Sequence, residues 1–298
     1  MAMDWDKLRV FHAVAEAGSF THAGEKLNLS QSAVSRQISA LEDSLGTPLF
    51  HRHARGLILT EQGELLYRTA HEVFAKLSMT EAALSEAKDR PKGPLKVTAP
   101  IAFGSMWLTP RMKEFVDRYP DIQVSLLLDE SELDLGMREA DVAIRMSPPR
   151  QPDLVQRHLV TVSLHLYASQ QYLQEHGAPQ STADLEKHRL IVFGAYGHAP
   201  TPSVNWLMDI GGHAGRHRPN LFTVNSVYGI LRAVESGVGI GALPDYMLGE
   251  AKALERVLPE LAGPPVDAYF VYPEELRHSK RIAVFRDYLV AKVAETRF

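Results

Sequence analysis

The sequence predicts an α/β protein with a small, mostly helical N-terminal unit and a larger C-terminal domain. Three short helical patterns and two short strands come first, and a long heptad-patterned helix follows them. Beyond Pro94, strand and helix patterns alternate to the end of the chain. With 298 residues, 45% of them hydrophobic, the chain is long enough to bury the cores of about two or three domains.

Composition excludes several classes of function. The chain has no cysteine, which rules out disulfides, thiol catalysis and cysteine-ligated metals. No apolar run approaches a membrane span, and the start, MAMDWDKL, lacks the apolar core of a signal peptide. We therefore expect a cytoplasmic protein without membrane contact. The net charge of −4 gives no global sign of nucleic acid binding, so a DNA surface would have to be a local basic patch.

The first three helices are delimited by capping residues. Residues 4–17 form the first apolar pattern, and Gly18 ends it. Ser19 and Ser30 are placed to cap the second and third helices, and Gly46 closes the third. Two strands, at 49–52 and 56–59, are predicted around a basic turn. This order of elements predicts a helix-turn-helix followed by a wing.

The third helix, in SQSAVSRQISALE, has an unusual polar face. Val34, Ile38 and Leu41 form its apolar stripe, whereas serines surround Arg36 on the other side. Serine is a poor helix former, but a face of short side chains lets a helix approach the DNA major groove closely. The predicted DNA contacts are Ser30, Gln31, Ser32, Ser35, Arg36 and Gln37 in this helix, and Arg52 and Arg55 in the wing. A protein-interaction module with a polar surface helix is the alternative.

A long helix is predicted from Thr60 to about Asp89. Its stripe of Leu66, Ala70, Val73, Leu77, Thr80 and Leu84 has the alternating spacing of four and three residues found in a coiled-coil seam. We predict that this helix pairs with its copy in a dimer through Leu66, Val73, Leu77 and Leu84. The alternative is a helix packed on its own domain.

The C-terminal domain follows the linker PKGP at 91–94. Its strand candidates are 95–98, 123–128, 142–145, 164–168, 190–193, 221–224, 238–242 and 268–272. Helical patterns lie at 110–119, 227–236 and 280–296. The alternation predicts mostly parallel strand pairing, but periodicity does not decide between one lobe and two.

Several stretches of the N-terminal unit resemble the signature of LysR-type transcriptional regulators. They are FHAVAEAGSF at 11–20, AGEKL at 23–27, LSQSAVSRQI at 29–38, LGTPLFHR at 45–52 and LTEQG at 59–63. VGIGALP at 238–244 also resembles a late strand of that family's effector domain. Ser32 departs from the pattern, because many members have proline there. The departure leaves the first turn of the third helix less rigid.

The resemblance implies a fold and a function. A winged helix-turn-helix domain would occupy 1–60, a linker and dimerisation helix 61–90, and an effector domain 91–298. That domain would have two α/β lobes like type 2 periplasmic binding proteins, with lobe I at about 91–163 and 267–298 and lobe II at about 164–266.

The implied function is transcription regulation modulated by a small effector bound between the lobes, and not enzyme catalysis. The implied partners are double-stranded promoter or operator DNA, the effector, further copies in a dimer or tetramer, and RNA polymerase. The alternative from another class is a solute-binding or enzymatic α/β protein carrying a degenerate interaction module.

The implied fold places an effector where strand ends meet helix starts. The expected contacts are Thr98, Ala99, Pro100, Ile101, Asp129, Arg145, Phe193, Asn225 and Ser226. Arg145 and helix amides favour an anion, so the effector is predicted to be a carboxylate. The alternatives are a salt bridge between the two lobes for Arg145 and a helix cap for Asn225. Asp129 and Glu130 could instead recognise an amino group.

No metal, cofactor or catalytic residue is predicted. His51 with His53, and His213 with His217, have the spacing of metal ligands, but neither pair has a third ligand nearby. No stretch such as G-x-S-x-G arranges a nucleophile, so hydrolase chemistry has no support.

Overall fold

In the computed structural model the chain divides into two units, Met1–Ala87 and Lys88–Phe298. The described residues are 4–53, 56–85, 90–149, 151, 153–194, 199–201, 203–212, 221–249, 254–296 and 298. At 52, 53, 56, 75, 78, 79, 81–85, 211, 212 and 249 only the backbone is described. Among the described helices, none is both long and apolar enough to cross a membrane.

The first unit begins with the three predicted helices. They are α1 (Trp5–Ala17), α2 (Phe20–Leu27) and α3 (Gln31–Leu45). Gly18 and Gly46 end α1 and α3 with φ of 59° and 67°, a left-handed conformation that glycine adopts without strain. The hydroxyl groups of Ser19 and Ser30 accept hydrogen bonds from the first turns of α2 and α3. The predicted caps are therefore confirmed.

A close approach between α2 and the turn after it sets the packing of α3. A Cβ atom added at Gly24 would lie 2.6 Å from the carbonyl oxygen of Leu29, so only glycine fits there. Val34, Ile38 and Leu41 of α3 are then completely buried against Phe11 of α1. This packing turns the opposite face of α3 to solvent.

The wing and the long helix complete the unit. Strands β1 (Phe50–His53) and β2 (Gly56–Leu59) pair antiparallel, as predicted. The long helix α4 (Glu61–Ser85) begins after Thr60, whose hydroxyl accepts a hydrogen bond from the Gly63 amide. The predicted end near Asp89 lies outside the described residues.

The second unit contains two five-stranded sheets. The first sheet has the order β4 (Ile122–Leu128), β3 (Gly93–Ala99), β5 (Val142–Arg145), β12 (Val266–Pro273), β6 (Leu154–Val162). The second has the order β11 (Leu254–Val257), β7 (Leu164–Ser169), β10 (Ile240–Pro244), β8 (Leu190–Phe193), β9 (Leu221–Val224). The chain leaves the first sheet at Val162, enters the second at Leu164 and returns with β12.

Five α-helices are described in this unit: α5 (Ile101–Phe103), α6 (Met112–Arg118), α7 (Gln170–His176), α8 (Val227–Glu235) and α9 (Lys280–Ala294). A π-helical turn, Gly104–Leu108, and a 3-10 turn, Thr109–Arg111, join α5 to α6. Side chains of α6 and α9 pack on the first sheet, and those of α8 pack on the second.

The prediction of mostly parallel pairing is wrong, since half of the described strand pairs in these sheets are antiparallel. In the first sheet β3 is parallel to both β4 and β5, but β12 is antiparallel to β5 and β6. In the second, β8 is parallel to β9 and β10, but β7 is antiparallel to β10 and β11. Each antiparallel pair involves β7 or β12, the two strands with which the chain enters one sheet from the other. The local alternation of strands and helices does not reveal such a crossing.

The sequence prediction also missed four elements: β6, β11, α7 and the helical segment from Ile101 to Leu108. Strand β6 has a mostly exposed surface and lacks a continuous apolar pattern. In Ile101–Leu108, Phe103, Trp107 and Leu108 are all buried, so no polar face reveals the helical period.

Candidate DNA interface and effector cleft

The exposed face of α3 carries the residues expected to contact DNA. Gln31, Ser32 and Arg36 are exposed on the side opposite the buried stripe. Ser30 caps the helix by accepting a hydrogen bond from the Ala33 amide at 3.2 Å, and its hydroxyl lies 3.1 Å from that of Ser32. This surface offers one arginine among short polar groups, which suits close approach to a groove.

Two of the predicted contacts lie at the edge of this face. Ser35 and Gln37 are half-buried. The Oε1 atom of Gln37 is buried, and no hydrogen-bond partner for it lies among the described residues. Gln37 is therefore less accessible than Gln31 in the free protein.

The wing is described mainly by its backbone. The backbone of Arg52 pairs with that of Leu57 across the hairpin, and only the backbone of Arg52 is described. Arg55 is not among the described residues. Their predicted contacts with DNA remain predictions.

The long helix packs partly on its own unit. Ala70 is only 1% exposed, and Leu66 and Phe74 pack beside it against the core formed by α1–α3. The alternative raised from the sequence, a helix packed on its own domain, therefore holds for its first half. Val73 and Leu77 are 36% and 44% exposed and remain available to a partner. The side chain of Leu84, the last residue of the predicted seam, is not described.

A cleft of about 740 Å³ opens at the ends of parallel strands β3, β4 and β5. Its lining residues are 98–100, 129–133, 144–148 and 199–201. The last group follows β8 of the second sheet, so both sheets contribute to the cleft. Its volume is typical of a small-molecule site, and so is its position at the carboxyl ends of strands.

The cleft brings together five of the nine residues predicted to bind an effector: Thr98, Ala99, Pro100, Asp129 and Arg145. The other four do not line it. Ile101 begins α5 behind Pro100, and Phe193 is buried in the core beneath α8. Ser226 caps α8 by accepting a hydrogen bond from the Gly229 amide, and Asn225 is exposed just before it. The helix cap expected at Asn225 is thus provided by Ser226.

Arg145 is committed to neighbours within its own lobe. Its side chain is buried, donating a hydrogen bond of 2.9 Å to Glu132 Oε2 and one of 2.7 Å to the carbonyl oxygen of Leu133. The guanidinium therefore fixes the β4–β5 connection to the end of β5. This is a structural ion pair within one lobe, and not the salt bridge between lobes that was the alternative raised from the sequence.

Glu130 is the most unusual residue of the cleft. Both of its carboxylate oxygens are buried, and neither has a hydrogen-bond partner among the described residues. Burial raises the pKa of Glu130 to about 6, an effect opposed by the nearby amide of Ile101 and reinforced by the charge of Asp129. The Ile101 amide is close enough to lower the pKa, although it makes no hydrogen bond with either oxygen.

A second cavity of about 60 Å³ adjoins the cleft and shares Glu130, Pro100 and Thr201 with it. The rest of its lining is mostly apolar and includes Phe103, Val227 and Ile230, together with Trp206 and Tyr246, each of which carries one polar atom. Burial, and then the charge of Glu130, raise the pKa of Tyr246, so this hydroxyl stays protonated at neutral pH. Glu130 thus stands between a polar cleft and an apolar pocket.

The structure gives no sign of a metal centre in the part it describes. Within those residues, no group of three or more His, Asp or Glu side chains is arranged to hold an ion. His213 and His217 lie outside them.

These features define a class of protein: a winged helix-turn-helix joined to an α/β domain with a ligand-sized cleft. The family model for the bacterial regulatory helix-turn-helix of the lysR family matches residues 5–64. The model for the LysR substrate binding domain matches 88–294. The chain therefore belongs to the LysR-type transcriptional regulators.

Relatives match along nearly the whole chain. The HTH-type transcriptional regulator CrgA of Neisseria meningitidis is 32% identical over 98% of both chains. Its solved structure superposes with a TM-score of 0.59 at 31% identity, covering 98% of this chain and 99% of that one. The full-length Vibrio cholerae virulence activator AphB has a TM-score of 0.62 at 27% identity and covers 97% and 99%. CbnR, solved with its target DNA, shares the fold at 22% identity, with a TM-score of 0.64 and coverage of 98% and 99%.

Proposed function

We propose that this protein regulates transcription in the cytoplasm by binding operator DNA through α3, and that a small molecule in the cleft alters this binding. The exposed face of Gln31, Ser32 and Arg36 on a capped and firmly packed helix carries the proposal. Relatives over the full length are named transcriptional regulators, which supports a regulatory and not a catalytic role.

On DNA, we assign separate roles to the two parts of the surface. Arg36 reaches a guanine edge or a phosphate, and Gln31, in the first turn, reaches an adenine. Arg52 and Arg55 of the wing contact phosphate or the minor groove. With so few cations, one copy would bind weakly, so several copies on one site are needed.

We propose that α4 supplies this assembly. Val73 and Leu77 are apolar and exposed on consecutive turns, and Leu84 continues their heptad spacing. A dimer pairs these helices, and a tetramer would need further contacts from the effector domain, whose lobes we divide near Ser163 and Asp267. Contact with RNA polymerase is the step that would follow DNA binding.

The cleft supports the proposal of a small-molecule effector, but not the carboxylate expected from the sequence. That expectation depended on Arg145 having free donors. Arg145 is paired with Glu132 instead, and the acids Asp129 and Glu130 line the same cleft. We therefore retain the effector without assigning it a negative charge.

The DNA-binding proposal is tested by selecting, from a random pool, the duplexes that the full-length protein binds. Anisotropy titrations then measure the affinity of the full-length protein for the selected duplex. The selected duplex should bind far more tightly than a scrambled one, with affinity falling steeply as salt rises. The alternative, a solute-binding or enzymatic protein with a degenerate module, predicts no enriched sequence.

Arg36→Ala then tests the recognition helix. It should cost about 1–3 kcal/mol of binding to the selected duplex and relax the preference at one base pair. Arg9→Ala is the matched control, because Arg9 is also exposed but lies on α1. Equal losses in both variants would mean that only net charge matters, and no loss in either would remove Arg36 from the interface.

A further inference from the structure

The charge of the cleft is unbalanced. Its described lining has three acids, Asp129, Glu130 and Glu132, and one base, Arg145, which already pairs with Glu132. No cation among the described residues forms an ion pair with Glu130. A carboxylate ligand entering this cleft would be repelled, whereas a cation would be attracted.

The carboxylate of Glu130 also lacks a hydrogen-bond donor among the described residues. Burying polar oxygens without hydrogen bonds is costly, and most buried polar atoms in proteins have a partner. Here both carboxylate oxygens lack one in the described part of the chain, and Glu130 lines both cavities. A ligand with hydrogen-bond donors and a positive charge would satisfy both oxygens at once.

The adjoining pocket sets the shape of the rest of the ligand. The pocket has a volume of about 60 Å³. Phe103, Trp206 and Val227 give it an apolar wall. A short alkyl end suits this mostly apolar lining.

On the basis of the proposed regulatory function, we infer that the effector is a small aliphatic amine. Its ammonium group lies against Glu130 and Asp129, and a short alkyl segment enters the apolar pocket. Glu132 neutralises Arg145 and so keeps that cation from repelling the ligand.

Calorimetry on the full-length protein at pH 7.5 tests the inference with a matched set of five-carbon probes. The probes are pentylamine, 1,5-diaminopentane, pentanoate and pentan-1-ol. At least one amine should bind about tenfold or more tightly than the alcohol, since a charged hydrogen bond contributes about 1.5–3 kcal/mol. Pentanoate should not bind. Pentanoate or the alcohol binding as tightly as the amines, or no binding by any probe, overturns the inference.

A variant pair locates the site. Glu130→Gln keeps the volume of the side chain and removes its charge, so the amine affinity should fall at least about tenfold. Glu255→Gln removes an exposed charge from β11 and should leave the affinity unchanged. Equal effects of the two variants would mean that only the overall charge attracts the amine.

The pH dependence of binding gives an independent reading. An alkylamine stays protonated well below its pKa of about 10, so changes near pH 6 report the protein. The parent should lose affinity for pentylamine by up to about tenfold per unit below pH 6 as Glu130 takes up a proton, while Glu130→Gln should stay nearly flat. The charge of Asp129 acts on Glu130 and contributes to its raised pKa, and Tyr246 remains protonated throughout. Identical profiles for parent and variant would contradict the assignment.

The result can be separated from the DNA-binding proposal. If no amine binds but the selected duplex is still bound, the effector class is wrong and the regulator stands. If amines bind and no duplex is selected, the cleft assignment stands and the regulatory proposal fails.

Discussion

Replacing Glu130 with glutamine should stabilise the protein at neutral pH and less so in acid. The pKa of Glu130 rises from 4.5 to about 6 on folding because its carboxylate is buried. A shift of about 1.5 units corresponds to about 2 kcal/mol at full ionisation. Because the residue is only half-buried, solvent screening reduces this to about 1 kcal/mol.

The sign follows from the two protonation states. A raised carboxyl pKa means that the native state holds its proton more tightly than the unfolded chain, so the parent loses stability as the pH rises from about 4.5 to 6. Above pH 6 the ionised carboxylate lowers the free energy of unfolding by its full amount. At pH 5 it lowers the free energy of unfolding by less than half of that amount. The advantage of Glu130→Gln over the parent should therefore grow by about 0.5–1 kcal/mol between pH 5 and pH 8.

Urea unfolding of the full-length proteins, followed by tryptophan fluorescence, measures this difference. Trp107 and Trp206 are buried in the second unit and report its unfolding. Any constant cost of burying the glutamine amide shifts the variant equally at both pH values, so the change with pH is the decisive quantity. Glu255→Gln, at an exposed site, should show no such change. If the free energies of unfolding of the parent and of Glu130→Gln change in parallel with pH, the carboxylate of Glu130 is not buried without a partner.

Three further predictions concern the first unit. Arg52→Ala should lower the slope of log affinity against log salt by about 1 without changing base preference, and an unchanged slope in salt titrations would place the wing away from DNA. Leu77→Asp should convert the full-length dimer to a monomer, because it buries an unpaired charge between the paired helices. Sedimentation measures this change. The control Leu65→Asp, at a 63% exposed site outside the seam, should leave the dimer intact. Gly24→Ala should cost about 1–3 kcal/mol in thermal unfolding, since its Cβ would meet the Leu29 carbonyl; a melting temperature equal to the parent's would contradict that contact.

Local signals in the sequence determined the first unit well. Capping serines, the glycines that end α1 and α3, and the apolar stripe of α3 all act over one or two turns, so they can be recognised without knowing the fold. The same holds for the heptad spacing of α4. The winged helix-turn-helix predicted from these signals is confirmed, and so is the two-lobed α/β domain, which only the family resemblance implied.

The tertiary structure decided which of the residues in these patterns pack in a core, form an ion pair or are buried. Periodicity placed Leu66 in the predicted seam, but packing turns it toward its own core. Arg145 looked like a free anion receptor until the fold brought Glu132 within 2.9 Å of it. Glu130 follows a strand like many other residues, and only the folded structure shows that its oxygens are buried. Charge neutralisation and burial depend on groups far apart in the chain. The resemblance read from the sequence therefore indicated where a cleft would form, and only the fold determined which charge it holds.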